Sequence, residues 1–197
     1  MSNIAIFGSG SGTNAENIIR YFAKSDRIRV TVVLSNKKEA GIHERAGKLG
    51  VPSFSFSPAA FWEGALILDK LAGYHVDFIV LAGFLPLVSP VIIDAFPNRI
   101  INIHPALLPK FGGKGMYGAH VHEAVIAAKE TQTGITVHYV NERYDEGAVI
   151  FQAVCPVFPD DTADDVAAKV HALEYEHYPQ VIENLLSLHG NTKSINV

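Results

Sequence analysis

Apolar and polar positions fall into blocks along this chain, and the period changes from block to block. Ile4–Phe7 is a wholly apolar run that reads as a buried strand, followed by the glycine-rich stretch Gly8–Asn14. In residues 15–23, Ile18, Ile19 and Phe22 recur at helical spacing and predict one buried stripe. A second strand is expected over 29–36, a short helix over 41–50 stopped by Gly50, a short strand over 52–56, one amphipathic helix over 61–74, and an almost uninterrupted apolar strand over 77–84. The second half reads as a strand over 99–103, a long loop, a helix over 120–130, two strands over 134–140 and 147–157 joined by an acidic turn, and a closing helix from about Thr162 to Leu186. The remaining tail, His189–Val197, is polar and reads as frayed.

Strands with almost no polar positions, alternating with helices, predict an α/β fold: an open, mostly parallel twisted sheet with helices on both faces. The last two strands predict an antiparallel C-terminal part. No repeat, low-complexity tract or linker interrupts the pattern, so residues 1–197 read as a single domain.

With 48% hydrophobic and 18% charged residues, the chain has an ordinary globular composition. Its net charge of −4 argues against non-specific nucleic-acid binding, which needs a broad basic surface. An anionic ligand must then be held by local features. The single cysteine, Cys155, cannot form an internal disulfide, which predicts a cytoplasmic protein. No signal peptide precedes the first strand, and no apolar run reaches the roughly 18 to 20 residues that span a bilayer.

Candidate chemistry sits in three places. The turn Gly8–Asn14 joins a strand to a helix, where free N–H groups and the positive end of the helix dipole suit a phosphate. It lacks the Lys-Ser/Thr of a P-loop, Thr13 stands where a dinucleotide fingerprint needs glycine, and Asn36 stands where that fingerprint needs an acid. A plain glycine-rich turn with no ligand is the competing reading. In "NIHP", Asn102 and His104 are two apart on a strand end and so face one side, with Pro105 ending the pairing. A loop histidine bonded to a backbone carbonyl is the competing reading there. The acidic turn Asn141–Gly147 supplies Glu142, Asp145 and Glu146, which are ordinarily solvated. Zinc binding by His120 and His122, with His104 or His138 as a third ligand, is disfavoured, because positions two apart on a helix do not share a face.

Taken together, "GSGSGTN", "LAGFLPLVSP", "NIHPALLPKF" and "GITVHYVNERYDEGAVIFQ" resemble the phosphoribosylglycinamide formyltransferases, folate-dependent transferases of purine synthesis, over nearly the whole chain. The resemblance implies a formyltransferase fold and formyl transfer from 10-formyltetrahydrofolate, as co-substrate, to the amine of glycinamide ribonucleotide. It implies no metal, no nucleic-acid partner and no membrane, and a monomer or homodimer. It implies that Asn102, His104 and Asp145 are catalytic, and that Gly12, Thr13, Asn14 and Glu174 bind the nucleotide substrate. Leu85, Pro86, Leu87 and Val88, together with Asn102 and the loop Asn141, Glu142, Arg143, Tyr144 and Asp145, are implied to receive the folate. The chain departs from the family pattern in three ways. Many members have Arg where Pro86 stands, the Gly112–Gly118 segment is a few residues longer, and the region of Ala60 and Phe61 lacks a basic residue. A hydrolase of the same folate would use the same three catalytic residues with water as acceptor, and a non-catalytic nucleotide-binding module would leave them idle.

Overall fold

In the computed structural model of the chain, the backbone is described for residues 1–192 and the side chains for residues 1–187. The strands are β1 (Ser2–Phe7), β2 (Ile28–Ser35), β3 (Ser53–Ser55), β4 (Phe78–Leu81), β5 (Ile100–His104), β6 (Gln132–Tyr139) and β7 (Val149–Pro156). The helices are α1 (Thr13–Phe22), α2 (Gly41–Lys48), α3 (Pro58–Glu63), α4 (Ala65–Gly73), α5 (Pro90–Ala95), α6 (Ala119–Ala127) and α7 (Ala163–Thr192).

The strands form one sheet in the order β3-β2-β1-β4-β5-β6-β7. β1 to β5 pair in parallel, and β6 and β7 join antiparallel, as the sequence pattern predicts. The period-two alternation sorts side chains onto two cores. On β1, Ile4 and Ile6 pack with Ile18 of α1, Ile42 of α2 and Val170 of α7, while Ala5 and Phe7 pack with Phe61, Ile67 and Ile92 from α3, α4 and α5. The chain winds outward from β1 in one direction and from β4 in the other. The carboxyl ends of these two strands therefore flank the crevice where open α/β sheets bind ligands.

Three expectations change. The helix expected over 61–74 is two helices, broken at Gly64. That residue has φ 79°, and a Cβ there would stand 2.8 Å from Val91 of α5, so the break lets α5 dock. The six-residue α5 itself, opened by Pro90, is too short to register as a period. The last helix runs beyond Leu186 to Thr192; the expected frayed tail His189–Val197 falls outside the described side chains, and residues 193–197 outside the description.

α7 begins at a capping box. The Thr162 hydroxyl accepts from the Asp165 N–H at 3.2 Å and the Asp165 carboxylate accepts from the Thr162 N–H at 2.9 Å. Pro179, inside the helix, cannot donate to the carbonyl of Tyr175, and the Asn17 amide of α1 donates to it instead, at 2.9 Å. One position before that proline, the fully buried Tyr178 donates its hydroxyl to the Leu81 carbonyl at 2.8 Å and so ties α7 to the end of β4. Burial pushes the phenol well above its ordinary pKa, so it remains a donor. Tyr178→Phe should leave the buried carbonyl short of this donor and lower stability by about 1–3 kcal/mol, read as a shift in the urea midpoint at unchanged m-value; an unshifted midpoint would remove this bond from the account.

Candidate active site

The turn after β1 has the conformation a bare helix N-terminus requires. Gly12 stands at φ 79°, and a Cβ there would lie 2.5 Å from the Ile42 backbone, so glycine is needed for both dihedral and space. No side chain caps the start of α1, which leaves the N–H groups at Thr13 and Asn14 without a capping partner. The turn is braced from behind by Arg45, which donates to the Ser11 carbonyl at 2.9 Å and pairs with Glu16. Ser9, buried, bonds Asn36 at 2.7 Å and accepts from the Leu85 N–H at 3.0 Å, which joins this turn to the loop after β4.

Asn102 and His104 emerge together from β5. Register pairs Asn102 with His138 and His104 with Thr136 on β6. His138 donates Nδ1–H to the Tyr139 carbonyl at 2.8 Å, so its Nε2 is left to accept from the Asn102 amide at 3.2 Å. One amide hydrogen of Asn102 is fixed in this way and the other is free. His104 donates Nε2–H to the Phe111 carbonyl at 2.7 Å, and its Nδ1 faces Asp145 Oδ2 at 3.5 Å. Asp145 has a left-handed φ of 57°, an uncommon conformation of the kind that clusters at functional sites. Its carboxylate accepts from the Gly113 N–H at 2.9 Å, and Oδ1 lies 3.6 Å from His138 Nε2. Two residues on, a Cβ at Gly147 would stand 1.6 Å from the Tyr139 carbonyl, which accounts for the glycine of the D-x-G pattern.

Burial holds the His104 imidazole below its ordinary pKa, although Asp145 and the Phe111 carbonyl pull the other way. The resting ring is therefore neutral at pH 7: the loss of water around it outweighs the pull of Asp145 toward the charged form. Burial pushes the Asp145 carboxyl up, but the imidazoles of His138 and His104 and the Gly113 N–H outweigh it, so Asp145 titrates below the ordinary aspartate range.

A cavity of about 750 Å³ runs from this cluster to the turn after β1. Gly12, Thr13, Asn14, Leu85, Asn102, His104, Asp145 and Glu174 all line it. A small adjoining pocket is lined by Pro86, Leu87, Val88, Asn102, Asn141, Arg143, Tyr144 and Asp145. Of the site residues that the resemblance implies, the exposed Glu142 alone lines neither. Glu174 of α7 is buried and accepts from Asn14 at 2.9 Å and from His171 at 2.8 Å; that bond raises the pKa of His171. The other amide atom of Asn14, Oδ1, is buried without a partner, as is Nδ1 of His122 in the same cavity. His120 is exposed beside Glu123 while His122 is buried, so the two do not form a ligand pair. Among the described residues no three His, Cys, Asp or Glu are grouped so as to hold a metal ion, and no helix is long and apolar enough to cross a membrane.

Sequence reasoning gives His138 no place beyond that of a third zinc ligand. Its partnership with Asn102 depends on the β5–β6 register, and only the one-in-two alternation of "ITVHYV" hints at it. Ser9 and Arg45 carry no local signal at all.

Residues 2–182 match the family model described as formyl transferase. The chain is 42% identical to a chloroplastic phosphoribosylglycinamide formyltransferase of Vigna unguiculata over 92% of its own length and 60% of the relative's. It spans 63% of the length of a second chloroplastic relative, from Arabidopsis thaliana. It is 34% identical to the phosphoribosylglycinamide formyltransferase of Bacillus subtilis over 96% and 97% of the two chains. A solved structure of glycinamide ribonucleotide transformylase 1 from Geobacillus kaustophilus superposes with a TM-score of 0.86 at 37% identity, over 94% of this chain and 99% of that one.

The electrostatics of the cluster make a signed prediction. The His104 ring, followed by NMR, should titrate below the ordinary histidine value of about 6.5. In Asp145→Asn it should titrate lower still, because the charge that favours the imidazolium is gone. An unchanged or higher midpoint in the variant would mean that Asp145 does not act on the ring.

Proposed function

The chain belongs to the formyl transferase family, and on that premise we propose that it transfers a formyl group from 10-formyltetrahydrofolate to the amine of 5'-phosphoribosylglycinamide, in purine biosynthesis. One observation carries the reading: Asn102, His104 and Asp145 meet in a cavity whose other end is an uncapped helix N-terminus. The names of the relatives at 34–42% identity support the transferred formyl group and its acceptor.

In this reading residues 1–197 work as one catalytic domain, supported by the single sheet that holds both ends of the cavity. The phosphate is held by the N–H groups at Gly12, Thr13 and Asn14 and by the Thr13 hydroxyl, where the helix dipole adds about 0.3–1 kcal/mol. Glu174 and the unpartnered Asn14 Oδ1 accept hydrogen bonds from the substrate's hydroxyls. The folate ring enters beside Leu85–Val88 under the Asn141–Asp145 loop, and Pro86 can offer it a carbonyl but no cation. The single buried cysteine supports a reducing compartment, the cytoplasm.

The substrate amine attacks the formyl carbon and negative charge develops on the formyl oxygen. The free amide hydrogen of Asn102 donates to that oxygen; a donor in this role is worth about 2.7–4 kcal/mol. The attacking nitrogen becomes positive and must lose a proton. Neutral His104 accepts it at Nδ1, where Asp145 holds the new N–H and the new charge. The ring then returns the proton to the departing folate nitrogen. The burial that depresses the pKa of His104 at rest is offset once the oxyanion forms beside it, so the ring becomes basic as the proton arrives. No metal enters this chemistry.

Formyl transfer is tested by mixing the protein with 10-formyltetrahydrofolate, with and without glycinamide ribonucleotide, and following deformylation. Loss of formyl folate should require the amine and yield one formylated amine per folate. Equal rates with and without the amine would make the protein a hydrolase. Thr13→Asp, which sets a carboxylate where the phosphate belongs, should raise KM for the ribonucleotide at least 10-fold, an energy of about 1.4 kcal/mol, and leave KM for the folate unchanged; a KM shift on the folate side instead would remove the phosphate from this turn.

A further inference from the structure

A phosphate carries about 1.5 to 2 negative charges at neutral pH, whereas an uncapped helix N-terminus supplies only about half a positive one. The cavity worsens the balance, because four carboxylates line it: Glu123, Asp145, Asp164 and Glu174. His171 answers one of them, Glu174, within the cavity, and the nearby arginines and lysines that could answer the rest are committed elsewhere. Arg45 and Arg20 pair with Glu16, and Lys110 pairs with Glu130 at 2.8 Å. None of those three lines the cavity. Lys114 does, as its only lysine or arginine, and among the described residues no hydrogen bond or ion pair engages its ammonium group.

Its setting in the chain fits a cation that moves to its ligand. Lys114 follows Gly113 in a turn closed by the Met116 N–H bonding the Gly113 carbonyl at 3.1 Å. Gly113, Gly115 and Gly118 all have positive φ, from 54° to 96°, and a Cβ at any of the three would meet nothing within 4 Å. Their left-handed dihedrals, not packing, call for glycine, and with no side chain at three positions the backbone around one lysine has few barriers to rotation. The segment is tethered at its start, where Gly113 donates to Asp145 and Phe111 accepts from His104, and at its end by α6.

We infer that Lys114 is the counter-cation of the substrate phosphate, brought onto it by the glycine segment, so that the segment selects the phosphorylated amine over the unphosphorylated one. The inference rests on the proposed function for the presence of a phosphate. It assigns to Lys114 a charge-assisted contact that the turn after β1 cannot make.

The test compares glycinamide ribonucleotide with its dephosphorylated ribonucleoside as acceptors, with a 10-formyl folate carrying one glutamate as donor. Lys114→Gln should raise KM for the ribonucleotide on the order of 10- to 100-fold, as for loss of a hydrogen bond between charged groups. It should leave kcat/KM for the ribonucleoside and KM for the folate where they were. Lys114→Arg should recover most of the loss, and Lys110→Gln should behave as the unmutated protein. Inorganic phosphate, titrated without any turnover and followed by the amide shifts of Gly12 to Asn14, should bind more weakly to Lys114→Gln. Equal losses for both acceptors would make the lysine a structural part of the segment. A rise confined to the folate KM would assign it to the folate carboxylate. Unchanged constants with unchanged phosphate binding would give it no role. Each of these overturns the inference, while the unmutated protein's own turnover reports separately on the proposed function.

Discussion

A carboxylate taken out of water and set between two imidazoles is the constraint on which the rest of this molecule depends. Asp145 is half-buried, and a charge so placed is tolerated only with partners. The groups around it come from three separate parts of the chain: the Gly113 N–H at the head of the glycine segment donates to it, and His104 at the end of β5 and His138 on β6 stand 3.5 and 3.6 Å away, where a proton taken up by either ring would meet the carboxylate. Bringing them together fixes the antiparallel register of β5 and β6, the left-handed conformation at Asp145 and the glycine at position 147 that lets the loop pass the Tyr139 carbonyl. The same arrangement leaves His104 neutral at rest yet beside an anion, which suits a group that must take up a proton and then give it back.

In the proposed reading, the parallel half of the sheet serves the phosphorylated substrate. Because the winding reverses between β1 and β4, the turn Gly8–Asn14 and the loop after Leu81 open on the same crevice, and Ser9 joins them through the Leu85 N–H. α7 crosses from one half to the other. Tyr178 holds it to β4, Asn17 holds it to α1 at the carbonyl that Pro179 leaves free, and Glu174 reaches Asn14 at the mouth of the turn. One long helix thereby ties the turn end of the cavity to the ends of β4 and β5.

What could be read in advance followed from local physics. Apolar strands alternating with helices gave the doubly covered sheet, and the i, i+2 spacing of Asn102 and His104 placed both on one side of a strand end. Gly64 and α5 were missed because a six-residue helix and a single left-handed glycine leave no periodic trace. The role of Asp145 entered by resemblance, since nothing in "NERYDEG" alone separates it from Glu142 or Glu146. His138 and Lys114 were illegible for a shared reason: the value of each lies in what stands opposite it across a register or a cavity, which spacing along the chain does not encode. That Asp145 stands beside His104 follows from the resemblance, whereas the loss of water around the ring, which outweighs the carboxylate, leaves no trace in the sequence.

The central claim is that Asp145 acts through His104 on one proton transfer. A double-mutant cycle in kcat for formyl transfer tests it, using Asp145→Asn, His104→Ala and the pair. With the imidazole removed, the carboxylate should have little left to act on, so the double variant should turn over about as slowly as His104→Ala alone. If the two losses multiply instead, Asp145 and His104 contribute independently, and the coupled carboxylate–imidazole account is contradicted.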